Sequence, residues 1–270
     1  MNKQLIEQIT KYVEEHIEGF HDARLEKLRE LDLKKLLARK NPYMFKAKHI
    51  VKASEMVEDL ASAFMSSAEE SIFGNWMEGL AIYIAKCVYH GHKSVAKGLD
   101  LEFDMNNKHY LVSIKSGPYW GNSSSIAKLK DYFKDALKVQ STSGNGTDVV
   151  CVEGCCYGND NKDYEGILKA DHLKCCGEKF WTLISGEPTL FVDIIEPLGT
   201  KAKEKNEEYY AEYGRMINKA TQQFIDDYCF QDGSINWEKI VRLNASIKVP
   251  KEPKVKKEAK SPAKKSKKSK

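Results

Sequence analysis

The sequence predicts an α/β protein: a central mixed β-sheet flanked by helices, with further helices at both ends of the chain. Ile72, Phe73, Trp76, Leu80, Tyr83 and Ile84 mark one face of a helix that stops near Gly91. Beyond Gly98 the apolar period drops to two, and a second helical stripe is then followed by the run TDVVCVE. A helix, a hairpin, a helix and a strand in that order need a sheet covered by helices on both faces.

Each element has its own signal. Ile6, Ile9, Val13, Ile17 and Phe20, then Leu25, Leu28 and Leu31, predict one or two amphipathic helices over residues 2–37. Residues 34–54 change character: seven basic side chains and no acidic one, with Tyr43 and Phe45 among them and a break at Asn41-Pro42. Basic residues mixed with aromatics suit a surface that meets phosphates, and a solvated helix face is the alternative. Met56, Val57, Leu60 and Phe64 predict a helix over 55–65. Ser67 with Glu70 then reads as a capping box that starts the next one. LDLEFD, the turn Asn106-Asn107-Lys108 and HYLVSIKS form a β-hairpin. Residues 123–140 are helical through Ile126, Leu129, Phe133, Ala136 and Leu137, and the strand TDVVCVE ends at Glu153. Residues 157–247 read as mainly helical, with one helix opened by Pro188 and running to about Glu196 and another over 201–228.

Charge is unevenly spread. The formal net charge is +4, but residues 248–270 hold 11 Lys against 2 Glu, which leaves the first 247 residues at −5. The tail, rich in Lys, Ser, Pro and Ala, is expected to be disordered. No long apolar run or leader-like N-terminus occurs, which predicts a soluble, cytoplasmic protein with no membrane partner. The Ser-Pro-Ala-Lys-Lys wording of the tail leaves a nuclear or viral source open. Seven cysteines, five of them at 151, 155, 156, 175 and 176, match no CxxC zinc module; small core side chains are the other reading.

Chemistry concentrates in the hairpin. Alternation puts Asp100, Glu102 and Asp104 on one face of the first strand, and Leu111, Ser113 and Lys115 on one face of the second. Carboxylates facing a lysine across paired strands can hold a divalent cation beside an ammonium, the combination that phosphodiester hydrolysis needs. On spacing alone a solvent-facing lysine at a strand end is the competing reading. Glu78 stands within the apolar helix before the hairpin, either at its wet edge or aimed at a site.

At these residues the chain resembles the PD-(D/E)XK nuclease superfamily, and within it type II restriction endonucleases of the PmeII kind. The likeness is carried by KNPYMFKAKHI (40–50), EESIFGNWMEGLAIYIAK (69–86), GLDLEF (98–103), YLVSIKSGPYWGNSS (110–124), GCCYG (154–158), and CGEKFWTLISG with DIIEPLG (176–199), of which IKSGPYWGNS is the most specific. The resemblance implies a restriction-endonuclease-like core over 67–200, preceded by a helical region with the basic segment (1–66) and followed by a helical region (201–247) and the Lys-rich tail (248–270). It implies a Mg²⁺-dependent phosphodiesterase that cuts both strands of double-stranded DNA, acts as a homodimer and leaves 5′-phosphate ends. A structure-specific or repair nuclease and an inactive DNA-binding protein are the alternatives.

Residue by residue, the resemblance makes Asp100 the metal-binding aspartate and Lys115 the catalytic lysine, with the Ile114 carbonyl as a further metal ligand. Ser113 occupies the position usually held by a second carboxylate. Glu78 is the expected replacement and Glu102 the local alternative. Lys40, Lys46, Lys48, Tyr119, Trp120, Asn122 and Ser123 are expected to touch DNA, although the last two equally suit a turn and a helix cap.

Overall fold

The computed structural model describes residues 3–142, 148–162, 172–199 and 202–247, and the apolar stripes of the sequence become buried faces in it. Four helices open the chain: α1 (Lys3–Arg29), α2 (Leu33–Arg39), α3 (Pro42–Ala47) and α4 (Ala53–Tyr89). The strands β1 (His92–Lys93), β2 (Leu101–Met105) and β3 (Lys108–Lys115) follow, then α5 (Ser123–Thr142), β4 (Asp148–Cys155) and β5 (Leu173–Cys176). The chain continues through α6 (Glu178–Ser185), α7 (Leu190–Asp193), α8 (Ile195–Leu198), α9 (Ala202–Tyr228) and α10 (Trp237–Ala245). The predicted tail, 248–270, lies outside the described residues.

Among the described residues the strands form one mixed sheet in the order β1-β2-β3-β4-β5. The β2–β3 hairpin is antiparallel, whereas β3–β4 and β4–β5 are parallel, so α5 is the crossover between β3 and β4. Asn106 and Asn107 both take positive φ, 52° and 61°, as a two-residue hairpin turn requires. Alternation along the strands sends Leu101, Phe103, Tyr110, Val112 and Val152 into a core with α1, α4 and α6. Leu99, Leu111 and Cys151 go to the other face, against Leu129 and Phe133 of α5. The fold class predicted from the sequence is therefore the observed one: a mixed sheet with helices on both faces and further helices before and after it.

The second packing centre brings α2, α3 and the first half of α4 against α9 and α10, with Leu37, Phe45, Leu60, Phe224 and Ile240 inside. Burying side chains of this size contributes about 1.5–3 kcal/mol each. α4 belongs to both centres, and this corrects the expected pair of helices. Ser67 caps nothing: its carbonyl accepts from Ser71 Oγ at 3.1 Å inside an unbroken helix. Packing on both sides of residues 65–77 holds the backbone ladder together where local capping chemistry would have ended it. The residue pair 66/67, expected to divide two regions, sits mid-helix. α4 ends with His90 in the left-handed conformation, and a Cβ on Gly91 would meet Ala85 and Phe103 at 3.1 Å. Gly91 is thus needed for close approach to β2 rather than for a turn.

Two further corrections concern residues 172–199. LKCC is the strand β5 inside a stretch read as mainly helical, while EKFWTLIS is a helix there, as that reading expects, stopped by Gly186 at φ +74°. The helix expected from Pro188 is instead two single turns, α7 and α8. Pro197 has no N–H for the carbonyl four residues earlier, so the ladder breaks between them.

Candidate active site

The hairpin register explains how Asp100 meets Lys115. Leu101 pairs with Val112, so Asp100, one residue before β2, lies opposite Ser113, and its backbone N–H donates to the Val112 carbonyl at 2.8 Å. Gly98 sets the approach to the strand: its φ is +77°, and a Cβ there would strike the Tyr132 ring at 2.1 Å. The Asp100 carboxylate accepts the Ile114 N–H at 2.6 Å and the Ser113 hydroxyl at 3.3 Å, and Lys115 Nζ stands 3.7 Å from it. Ser113 is fully buried, and its hydroxyl also reaches the Gly98 carbonyl at 3.3 Å. It braces the aspartate without adding a charge. The Lys115 ammonium donates to the Ile114 carbonyl at 2.9 Å, and the face of the Trp120 ring lies 5.2 Å away.

Glu78 reaches the same place from α4. Burial first and the charge of Asp100 second push its pKa up, with Lys93 and Lys115 offsetting part of this. Lys93 Nζ of β1 stands 3.6 Å from it, so the carboxylate mid-helix does have a cationic neighbour. Glu102 follows a different course. It shares the Asp100 face, but Ser94 Oγ donates to it, and His109 and His92 lie 3.6 and 3.9 Å away, toward the β1 edge of the sheet. Asp100, Glu78, Lys115 and the Ile114 carbonyl are thus brought together, and Glu102 is drawn off by its own partners.

A cleft of about 540 Å³ opens over this cluster, lined among others by Glu78, Lys115, Ser116, Tyr119 and Tyr157. The floor is tight: a Cβ on Gly117 would sit 2.2 Å from the Tyr157 ring. Tyr119 is 90% exposed at the rim. Asn122 turns its side chain inward to the helix, accepting the Ser125 N–H at 3.0 Å, and Ser123 begins α5 on the surface. The basic segment is partly occupied by its own neighbours. Lys48 pairs with Asp59 at 2.5 Å, Lys46 lies 5.4 Å from the centre of the Trp237 ring, and Lys40 closes α2 while its carbonyl accepts from Asn244.

Sequence reasoning missed a buried group beside this site: Glu153, His172 and Lys174, with Trp120 turned toward them. Glu153 pairs with Ser113 across β3–β4 and is 4% exposed. Burial would raise its pKa, but hydrogen bonds from His172 and Trp120 and the charge of Lys174 hold it down at about 2. The available signal was the alternation of TDVVCVE, which puts Glu153 on the α5 face of the sheet. The five clustered cysteines are buried in and beside β4 and β5, and burial pushes the Cys156 thiol up to about 12.

A mixed sheet with an aspartate and a lysine at the open end of a β-hairpin, flanked by helices on both faces, is the nuclease fold of the restriction endonucleases. The model of the family described as Type II restriction endonuclease EcoO109I matches residues 7–206, and the chain belongs to that family. The match takes in the whole sheet and the helices that cover it. No curated protein matches the chain. The family makes the chain a nuclease and implies DNA as its substrate. No helix among the described residues is long and apolar enough to cross a membrane.

Proposed function

We propose that this chain is a Mg²⁺-dependent, site-specific deoxyribonuclease of type II, of the PmeII kind. It hydrolyses both strands of double-stranded DNA at a short recognition sequence and leaves 5′-phosphate ends. The observation that carries this reading is the convergence of Asp100 and Lys115 at 3.7 Å, with Glu78 lining the same cleft as Ile114 and Lys115. Two carboxylates that repel one another beside a cleft are a setting that a cation relieves.

The donors fit a hard divalent cation: the oxygens of Asp100 and Glu78 and the Ile114 carbonyl, with waters completing the set. Among the described residues no three His, Cys, Asp or Glu side chains converge as a metal cage, so the backbone carbonyl is needed. Mg²⁺ bound there supplies neutralisation of phosphate charge and acidification of a water. The rest falls to the chain. Asp100 is fixed by the Ile114 N–H and the Ser113 hydroxyl, which keeps one oxygen oriented along the hairpin. Lys115 now spends one donor on the Ile114 carbonyl; released from it, the ammonium can meet a non-bridging oxygen of the scissile phosphate or orient the attacking water. In-line attack opposite the 3′-oxygen leaves the phosphate on the 5′ side.

Cutting both strands of a two-fold symmetric site calls for two active sites, hence a homodimer. The family suggests a prokaryotic cytoplasmic protein, with the Lys-rich tail as a feature of this chain. Incubating plasmid DNA with the protein in Mg²⁺ tests the reading: linear product that EDTA abolishes supports it. A gel shift without any Mg²⁺-dependent cleavage supports the inactive DNA-binding alternative, in which Ser113 has cost the site its second hairpin carboxylate.

Two binding predictions follow from the charge distribution. Replacing Lys40, Lys46 and Lys48 together with Ala should weaken specific and nonspecific binding alike and lower the salt slope by at most about 1 per lysine. Lys48 should contribute least, because Asp59 already holds it. Loss at the specific site alone, in a filter-binding titration, would put this segment against base edges. Removing residues 248–270 should flatten the salt dependence of nonspecific binding, at about 0.9 per lost phosphate contact, and leave the cleavage pattern unchanged.

A further inference from the structure

We propose that Trp120 is a positioning residue for Lys115, and that a network of the buried Glu153 and Lys174 with the partly exposed Asp160 is the tether that holds it. The inference rests on the reading of Lys115 as the catalytic lysine.

The loop from Ser116 to Asn122 joins β3 to α5 directly after Lys115, and two contacts from the sheet fix it. Trp120 Nε1 donates to Glu153 Oε1 at 2.9 Å, and Lys174 Nζ donates to the Pro118 carbonyl at 3.0 Å. Glu153 and Lys174 are themselves 3.5 Å apart, Asp160 accepts from Lys174 at 2.9 Å, and His172 Nε2 lies 3.3 Å from Glu153 Oε2. The indole is therefore pinned through its N–H while its ring face lies 5.2 Å from the Lys115 ammonium. A pinned ring face leaves the ammonium a narrow range between the ring, Asp100 and the Ile114 carbonyl.

The placement is economical with respect to register. Glu153 stands directly opposite Ser113, on the same face of the sheet, but its oxygens are turned to Trp120, Lys174 and His172. A buried ion cluster is weak evidence for stability, because apolar residues of the same volume commonly serve as well. What such a cluster adds here is direction, since a hydrogen bond to the indole N–H fixes the plane of the ring. Glu153 thus supports the neighbouring strand's lysine from the place where it could have been mistaken for the absent carboxylate.

The test separates rate from affinity and from stability. Single-turnover cleavage of a plasmid fragment that the wild type cuts is measured at saturating enzyme, together with Kd for the same fragment in Ca²⁺ and the melting temperature. Trp120→Leu and Glu153→Leu are expected to lose about tenfold or more in rate, as misplaced catalytic groups do, with Kd unchanged. Trp120→Phe, which keeps a ring face, should retain more rate than Trp120→Leu. Glu153→Gln, which keeps an acceptor for the indole, should retain more than Glu153→Leu even where both lower the melting temperature equally. Rates that follow the melting temperature, or a loss in Kd with the rate intact, would overturn the proposal; the second result would return Trp120 to DNA contact. If Glu153→Leu does not fold, the two Trp120 variants decide. Lys115→Ala runs alongside: activity in that variant defeats the reading of the site itself, whereas inactive Lys115→Ala with fully active Trp120→Leu defeats only the tether.

Discussion

Lys115→Ala should abolish DNA cleavage and leave DNA binding close to wild type. The side chain is half-buried at the end of β3, and its ammonium lies 3.7 Å from Asp100 and 2.9 Å from the Ile114 carbonyl. Its loss removes the cation nearest the place where phosphate charge would develop, and a contact of that kind costs roughly 10²-fold or more in rate. The fold should tolerate the change, since the lysine head faces the cleft and the β3 backbone pairing does not involve it. Single-turnover cleavage with a parallel gel shift measures both terms. More than about a tenth of the wild-type rate would make Lys115 an ordinary strand-end residue.

The second large effect concerns the carboxylates. Asp100→Asn and Glu78→Gln should each lower cleavage by orders of magnitude, and Glu78→Gln should need more Mg²⁺ for whatever activity remains. Asn at 100 keeps an oxygen for the Ile114 N–H but removes the anion from a cation's first hairpin ligand. Gln at 78 removes a carboxylate that lines the cleft with Lys115 and whose pKa the charge of Asp100 raises and that of Lys115 lowers. Ser113→Ala should act mildly, because its 3.3 Å bond to Asp100 braces the aspartate without supplying a charge. Glu102→Gln should fall between these limits, because Ser94 and two histidines already engage it at the β1 edge. Rates across a Mg²⁺ series check the ranking. Wild-type behaviour of Glu78→Gln with a dead Glu102→Gln would mean that the hairpin supplies both ligands.

The central elements were legible because their periods are clean. Residues 101–105 and 110–115 follow a period of two closely enough that the hairpin, its Asn-Asn turn and the faces carrying Asp100 and Ser113 could be read before any coordinates. Glu78 was readable as an anomaly: a carboxylate in an apolar helix must be wet, paired or put to use. The capping box at Ser67 misled because local chemistry there agrees with a helix start, and only the two packing centres along α4 override it. β5 is four residues long with two cysteines, too short to show a period. The Glu153 network was hidden for another reason. Its members come from β4, β5 and two loops, and nothing in the spacing of Trp120, Glu153, Asp160, His172 and Lys174 announces that they meet.

The expectation for residues 119–123 illustrates the limit of a motif taken as a unit. Tyr119 stands free at the rim, whereas Trp120 and Asn122 spend their polar groups on Glu153 and on the start of α5. Three neighbouring residues in one specific sequence therefore have three different surroundings. DNA contact is proposed for Tyr119, Asn122 and Ser123, most strongly for Tyr119 because its side chain has the most solvent to give up, whereas Trp120 is assigned to positioning Lys115.

Digestion of a sequenced plasmid in Mg²⁺, with an EDTA control, followed by sequencing of the product ends, bears most directly on the assignment of this chain as a site-specific, metal-dependent nuclease. Discrete fragments are expected, in Mg²⁺ only, whose ends all map to one short sequence and ligate without prior phosphorylation because they carry 5′-phosphate. Ends scattered over the plasmid, ends that map to DNA structure in place of sequence, or intact plasmid under conditions in which the protein binds it would contradict the account.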